Sequence, residues 1–326
     1  MKESSKMLMV GAVTATATMA ALTAGAYGLS SWLLRIALDR QLPKGAQKQR
    51  CRLTGESGDF DALLEKMEAG GKYLRSCGCA TVSLTARDGT TLVGHWYEHP
   101  HPRRIIVAMH GWRSSWEQDF GLIAPFFHRC GCSVLYAEQR GQNASGGQHI
   151  TFGLLEHQDC AQWVDWVIGH TMPGLPVYLA GISMGATTVL LAAGLKLPSQ
   201  VRGIIADCGF TSPHAIWQHV AQNNLHLNYS LHQPWVERLF RRRLQLNPRS
   251  ASTTEALAKS RVPVLLIHGS DDSFVPVEMT YENYKACTAE KTLLIVPGAG
   301  HGMSYLMEKA RYERALSEFW KQYDQC

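Results

Sequence analysis

The sequence predicts an α/β fold: a mostly parallel sheet entered through an antiparallel hairpin, with helices on both faces and a helical insertion over one edge. Three observations lead there. Continuous Val/Ile/Leu runs, among them "RRIIVAMHG", "CSVLYAE" and "VYLAGIS", alternate with helical patterns, as strands covered on both faces do. Thr81 to Ala86 and Thr91 to Tyr97 are β-branched, alternating and joined across Asp88-Gly89, which reads as a hairpin. Between the strand ending at Cys208 and the one starting at Val262 lies a long stretch of helical pattern without a strand. Compact α/β connections rarely need such length, so it is a cap over the sheet or a structural insert, and the cap is favoured.

Composition bounds the rest. With 326 residues and 45% hydrophobic content the chain can bury one large core or two small ones. A formal charge of +5 is too mild and dispersed for a nucleic-acid partner. Nine cysteines leave at least one thiol unpaired, and a reducing compartment is the simpler reading. Cys77-x-Cys79 and Cys130-x-Cys132 are spaced too tightly to wrap a zinc ion, so no metal is expected.

The first element is an uncharged segment from Met7 to Leu34. As a helix it would reach about 42 Å, more than the roughly 30 Å of bilayer hydrocarbon. A single-pass membrane anchor is therefore expected. A cleaved signal is the alternative, because Ala24-Gly25-Ala26 resembles a peptidase site behind Lys2 and Lys6. The cations Arg35, Arg40, Lys44, Lys48, Arg50 and Arg52 follow the segment and lean the main domain toward the cytoplasm, with an extracytoplasmic or secreted domain left open.

After the hairpin, "FGLIAPFFHRC", "TFGLLEHQDCAQWVDWVIG" and "MGATTVLLAAG" are the helices that separate the strands, and "VRGIIADC", "VPVLLIHG" and "KTLLIVPG" continue the strand series. Reactive groups gather beyond the carboxyl ends of such strands. There stands Gly181-Ile182-Ser183-Met184-Gly185, a Gly-x-Ser-x-Gly elbow between strand and helix, where a strained serine is flanked by glycines that avoid side-chain clashes. A serine hydroxyl needs a base, and the base an orienting carboxylate. "LLIHGSDDSFVP" closes one later strand with Asp271 and Asp272, and "LLIVPGAGHGMSY" closes the next with His301. The order Ser, Asp, His and the strand-end position select His301 among fourteen histidines. The oxyanion of the reaction needs two N–H donors, expected from the backbone amides of Met184, at a helix N-terminus, and Trp112, after His110-Gly111.

Together "HGW" at 110 to 112, "GISMG" at 181 to 185, "HGSDDSFVP" at 268 to 276 and "GAGHG" at 298 to 302 resemble the α/β-hydrolase superfamily, and within it the bacterial serine hydrolases described as esterases, lipases or S33-type peptidases. The resemblance covers roughly residues 80 to 322 and implies that Asp272, not Asp271, is the acid. In "RGQNASGGQHITFGLLEHQD", Gln142 and Asn143 stand where His-Gly is usual, so the shape of that loop is expected to differ. "ADCGFTS" at 206 to 212 also matches a family segment. The chain accordingly divides into a transmembrane or signal-anchor segment (1–39), a linker and leading helix (40–79) and an α/β-hydrolase domain (80–326) whose cap spans about 212–260.

The expected activity is hydrolysis of carboxylic esters through an acyl-enzyme, with Ser183, Asp272 and His301 catalytic and no cofactor. Between Ser212 and Ser250 the cap carries Glu237 against Arg238, Arg241, Arg242, Arg243 and Arg249, too little acid to hold the amine of an aminopeptidase substrate. Small neutral or anionic acyl compounds fit better. Trp217, Trp235, Leu239 and Phe240 line an acyl pocket, dip into lipid near the anchor, or form the cap's own core. Amide hydrolysis and acyl transfer lie within the same chemistry, and a binding protein that has lost the reaction is the reading of a different class.

Overall fold

The computed structural model describes residues 23–43 and 60–324. A helix, α1, runs over residues 23–38. There follow α2 (Phe60–Ser76), β1 (Ala80–Thr85), β2 (Thr91–Tyr97), β3 (Arg104–Met109), α3 (Trp116–Phe120), α4 (Ala124–Arg129) and β4 (Cys132–Glu138). The central elements are α5 (Glu156–His170), β5 (Val177–Ile182), α6 (Met184–Ala192) and β6 (Val201–Asp207). The insertion holds α7 (Pro213–His219), a π-helical turn (Val220–Asn224), α8 (Tyr229–Leu244) and α9 (Thr253–Leu257). The chain continues through β7 (Val264–Gly269), α10 (Val277–Ala286), β8 (Lys291–Val296), α11 (Ser304–Met307) and α12 (Lys309–Tyr323).

The eight strands form one sheet in the order β1-β2-β4-β3-β5-β6-β7-β8. β2 is antiparallel to both β1 and β4, and the other pairings are parallel. Every residue of β3, β4 and β7 is buried, which is why their sequences read as mostly apolar runs rather than alternations. The period of two reappears in the packing. Val107 and Leu135 meet Trp163 and Val189 on one face, whereas Ile106, Val134 and Tyr136 share the core containing Phe127 and Trp320 on the other. A third apolar cluster lies above the sheet, where Leu34 and Leu38 of α1 join Phe152, Met184, Phe210 and Phe240.

Two sequence expectations change. The helical pattern beginning at Thr151 becomes a helix only at Glu156, because Phe152 (φ 55°) and Gly153 (φ 93°) turn left-handed. The Glu156 carboxylate accepts from the Thr151 and Gly153 amides at 2.7 and 2.8 Å and fixes that turn. The larger correction concerns the membrane. Among the described residues no helix is long and apolar enough to cross one, which overturns the single-pass localisation and leaves membrane association through the N-terminal segment unsupported. Residues 1–22 and 44–59, including the Lys2/Lys6 region and four of the six following cations, lie outside the described residues. In α1 the buried Leu34, Ile36 and Leu38 face the α/β domain instead of lipid, each burial stabilising the packed state by about 2 kcal/mol. The remaining two cations are likewise engaged by protein. Arg35 pairs with Asp39 at 3.2 Å, and the Arg40 guanidinium donates to the carbonyls of Asn143, Ser145 and Gly147.

Candidate active site

β5 delivers Ser183 to the carboxyl edge of the sheet, and α6 begins at the next residue. The turn between them holds Ser183 at φ 56°, ψ −119°, a conformation that costs about 1–3 kcal/mol and persists only because its neighbours enforce it. The flanking glycines show how tight it is. A Cβ on Gly185 would lie 1.8 Å from the Met109 carbonyl oxygen, and one on Gly181 would lie 2.2 Å from that of Gly185. Backbone, not a movable side chain, blocks both. Gly185→Ala is therefore expected to destabilise the protein by at least about 4 kcal/mol, measured as a lower urea midpoint or as loss of the folded protein.

Asp272 follows β7, and His301 lies in the loop after β8. The structure brings both to Ser183. The hydroxyl donates to His301 Nε2 at 2.8 Å, and His301 Nδ1 donates to Asp272 Oδ2 at 2.7 Å. Asp272 is fully buried and its oxygens are saturated: Oδ1 accepts from the Phe274 and Val275 amides at 2.9 and 2.8 Å, and Oδ2 is also 3.1 Å from His268 Nε2. Burial alone would favour the neutral acid, but the His301 charge and the hydrogen bonds from His268 and His301 hold the carboxyl well below the usual carboxylate range. Burial likewise disfavours imidazolium at His301. The Asp272 charge, with the Cys208 thiol, outweighs it and raises His301 well above the ordinary 6.5. Asp271 is exposed and accepts from the Ser270 hydroxyl at 2.6 Å. Asp207, another buried carboxyl close by, accepts from Ser304 at 3.1 Å, and burial pushes it upward.

The loop after β3 runs against the elbow: a Cβ on Gly111 would stand 3.3 Å from that of Ser183. Its geometry is fixed from several sides. The Gly111 amide donates to half-buried Asp119 at 2.6 Å, and the His110 ring bridges the Gly111 carbonyl (2.8 Å) and the Gln139 amide (3.1 Å). The second contact makes His110 Nε2 an acceptor, so Nδ1 carries the proton. The Gly111 amide is thereby engaged. Among the described residues, the next amide, that of Trp112, and the Met184 amide at the start of α6 have no hydrogen-bond partner. The departure at Gln142-Asn143 finds its explanation here. Gln142 Oε1 accepts from the Arg113 amide at 2.5 Å, and Asn143 Nδ2 donates to the Ser114 carbonyl at 2.9 Å.

Ser183 opens into an apolar cavity of about 110 Å³. The cap supplies Ile216, Trp217 and Val236, the sheet side Phe152 and Phe210, and α1 supplies Leu33, Leu34, Ile36 and Ala37. Of the four cap residues that the sequence offers for such a pocket, only Trp217 lines it. Leu239 and Phe240 are buried in the cluster behind the wall, and Trp235 meets Tyr27 edge-on at 5.6 Å. Two polar groups of the lining are paired, Ser30 with His232 at 3.0 Å and the Tyr229 hydroxyl with His214 at 3.2 Å.

Sequence reasoning misses the α1 residues, since their apolar run fits lipid equally well until its tertiary partners are seen. It also misses Cys208, a buried residue at φ 50°. Ligand-capable atoms of Cys208, Asp272 and His301 lie within 4.8 Å of one another, and burial pushes the thiol up to about 11. A cysteine directly after a strand end, in a segment already singled out by its motif, is the signal that was available.

Comparison with known proteins agrees with this architecture. The family model "Serine aminopeptidase, S33" matches residues 100–254. A Bacillus subtilis protein of uncharacterised function, YqkD, is 28% identical over 229 residues, covering 69% of this chain and 73% of its own. Among solved structures, a Pyrococcus furiosus esterase superposes with a TM-score of 0.62 at 22% identity, covering 76% of this chain and 92% of that one. A Pyrococcus horikoshii acylaminoacyl peptidase does so with a TM-score of 0.58 at 16% identity, over 78% of this chain and 43% of that one. At such identities the two structures speak for the fold alone. Sheet order, elbow and family match converge on one conclusion: the chain has the α/β-hydrolase fold.

Proposed function

We propose that the protein hydrolyses carboxylic esters with apolar acyl groups through a serine acyl-enzyme. The observation that carries this reading is the hydrogen-bonded chain from Ser183 through His301 to Asp272, facing an apolar cavity. Ser183 Oγ attacks the ester carbonyl as His301 Nε2 takes its proton, and Asp272 holds the imidazole and stabilises the imidazolium. The Trp112 and Met184 amides receive the oxyanion, each contributing about 3 kcal/mol to transition-state stabilisation. His301 then protonates the leaving alkoxide, and water, deprotonated by the same imidazole, repeats the attack on the acyl-serine and releases the acid.

The S33 match favours a second reading, cleavage of a peptide from its free amino end. The cavity argues against it. Among the described residues no carboxylate lines it, and Glu237 is engaged by Arg241 at 3.2 Å and Arg249 at 2.8 Å. A panel of p-nitrophenyl esters and aminoacyl p-nitroanilides separates the two. For the ester reading kcat/KM should rise with acyl length until the cavity is filled, by up to about fourfold per methylene. A steep preference for acetate, or faster turnover of the anilides, would overturn it.

The same geometry sets a pH dependence. His301 must be neutral to accept the serine proton, and its pKa lies above the ordinary 6.5. Activity is therefore lost as pH falls through that raised value, and the acid limb of kcat/KM is expected above 6.5. A titration of kcat/KM with a short p-nitrophenyl ester checks this; a limb at or below 6.5 would contradict it.

A further inference from the structure

Resting on the serine-hydrolase reading, we propose that α1 is a working part of the site: its apolar side chains form the acyl-binding wall, and its last carbonyls clamp the loop that carries the Trp112 amide. Chain-length selectivity and the oxyanion pocket would then depend on the same sixteen residues, 23–38.

The wall is direct. Leu33, Leu34, Ile36 and Ala37 line the cavity into which Ser183 opens, so an acyl chain leaving the serine runs along α1. The clamp is polar. Trp112 Nε1 donates to the Ala37 carbonyl at 2.9 Å. The Arg113 guanidinium donates to the Ile36 carbonyl at 2.7 and 3.1 Å, to the Arg40 carbonyl at 3.3 Å and to the Asp39 carbonyl. These carbonyls lie in or just beyond the last turn of a helix, where oxygens lack intrahelical donors and a cation meets the negative end of the dipole. Arg113 itself stands at φ 52°, so the Trp112–Arg113 corner takes a conformation that needs outside support. Other bonds fix α1 against the neighbouring segments. Asp39 accepts from Arg243 of α8 at 2.7 Å, and the Leu38 carbonyl accepts from the Ile150 amide at 2.7 Å.

The two roles separate in one experiment on the full chain, using p-nitrophenyl acetate, hexanoate and octanoate. Leu33→Trp narrows the wall and should lower the octanoate-to-acetate ratio of kcat/KM by about tenfold or more, whereas Leu33→Ala should move the preferred length upward. Arg113→Gln loosens the clamp. It should lower kcat for all three esters alike, by about ten- to a hundredfold, with KM changed less than about threefold and the acid limb of the pH profile unmoved. Binding of an alkyl boronic acid, which mimics the tetrahedral oxyanion, should weaken in parallel with kcat, and Arg113→Lys should restore part of both. Circular dichroism and thermal melting identify the folded variants, and the two Leu33 changes test the wall in opposite directions. An unaltered length profile in either folded Leu33 variant, or wild-type kcat and boronate affinity in folded Arg113→Gln, would overturn the role of α1. Failure of the wild-type protein to react with a fluorophosphonate would instead overturn the serine-hydrolase reading.

Discussion

Replacing Ser183 by alanine is expected to lower kcat/KM for a p-nitrophenyl ester by roughly 10⁵- to 10⁶-fold while leaving a folded protein, because nucleophile and base act as a unit and removal of one idles the other. The hydroxyl stands 2.8 Å from His301 Nε2, placed for that nitrogen to take its proton. Alanine retains the Cβ and hence the strained φ of 56°, so the turn should be neither relieved nor further strained, and stability should stay within about 1 kcal/mol. Ester hydrolysis and thermal unfolding of the same preparation test both halves. Activity within tenfold of the parent protein in a folded variant would mean that the chemistry runs elsewhere.

Asp272→Asn should lower kcat by about 10⁴-fold, and the hydrogen-bond inventory says why. Oδ1 already accepts two backbone amides, from Phe274 and Val275, so the new NH₂ group cannot point there without opposing two donors. It turns to the Oδ2 side and donates to His301 Nδ1. The imidazole then carries its proton on Nε2, the atom that must accept from Ser183, and the base is in the wrong tautomer. Loss of the carboxylate charge also removes the main influence that raises His301. The acid limb of kcat/KM should accordingly move to lower pH even as the plateau falls. A pH series on the variant reads both effects; a limb at the parental pH, or a loss below about tenfold, would contradict the assignment of Asp272 as the orienting acid.

How much of this was legible in the sequence depends on the range of the interaction. Strands buried on both faces announce themselves because burial disfavours polar residues on both, as in residues 105–109 and 264–267. The elbow is legible because its constraint is local: Gly181 and Gly185 answer to backbone within a few ångströms. Asp272 and His301 could be placed through topology, since parallel strands deliver their carboxyl ends to one edge. The single-pass expectation fails for the opposite reason. An uncharged run reports that its side chains avoid water, not whether lipid or protein receives them. In residues 23–38 the decision rests on partners far along the chain, such as Phe240 beside Leu34 and Arg113 beneath Ile36. Gln142 is similar: the sequence marked it as a departure from the family pattern, and only the fold shows its carbonyl on the Arg113 amide.

Ser183 as an activated nucleophile is tested most directly by covalent capture. A fluorophosphonate should add once per chain to the folded protein, peptide mass spectrometry should place the adduct on Ser183, and the labelling rate should fall as pH drops through the acid limb of hydrolysis. A folded, unlabelled protein, or a phosphonate found on a different residue, would contradict the account.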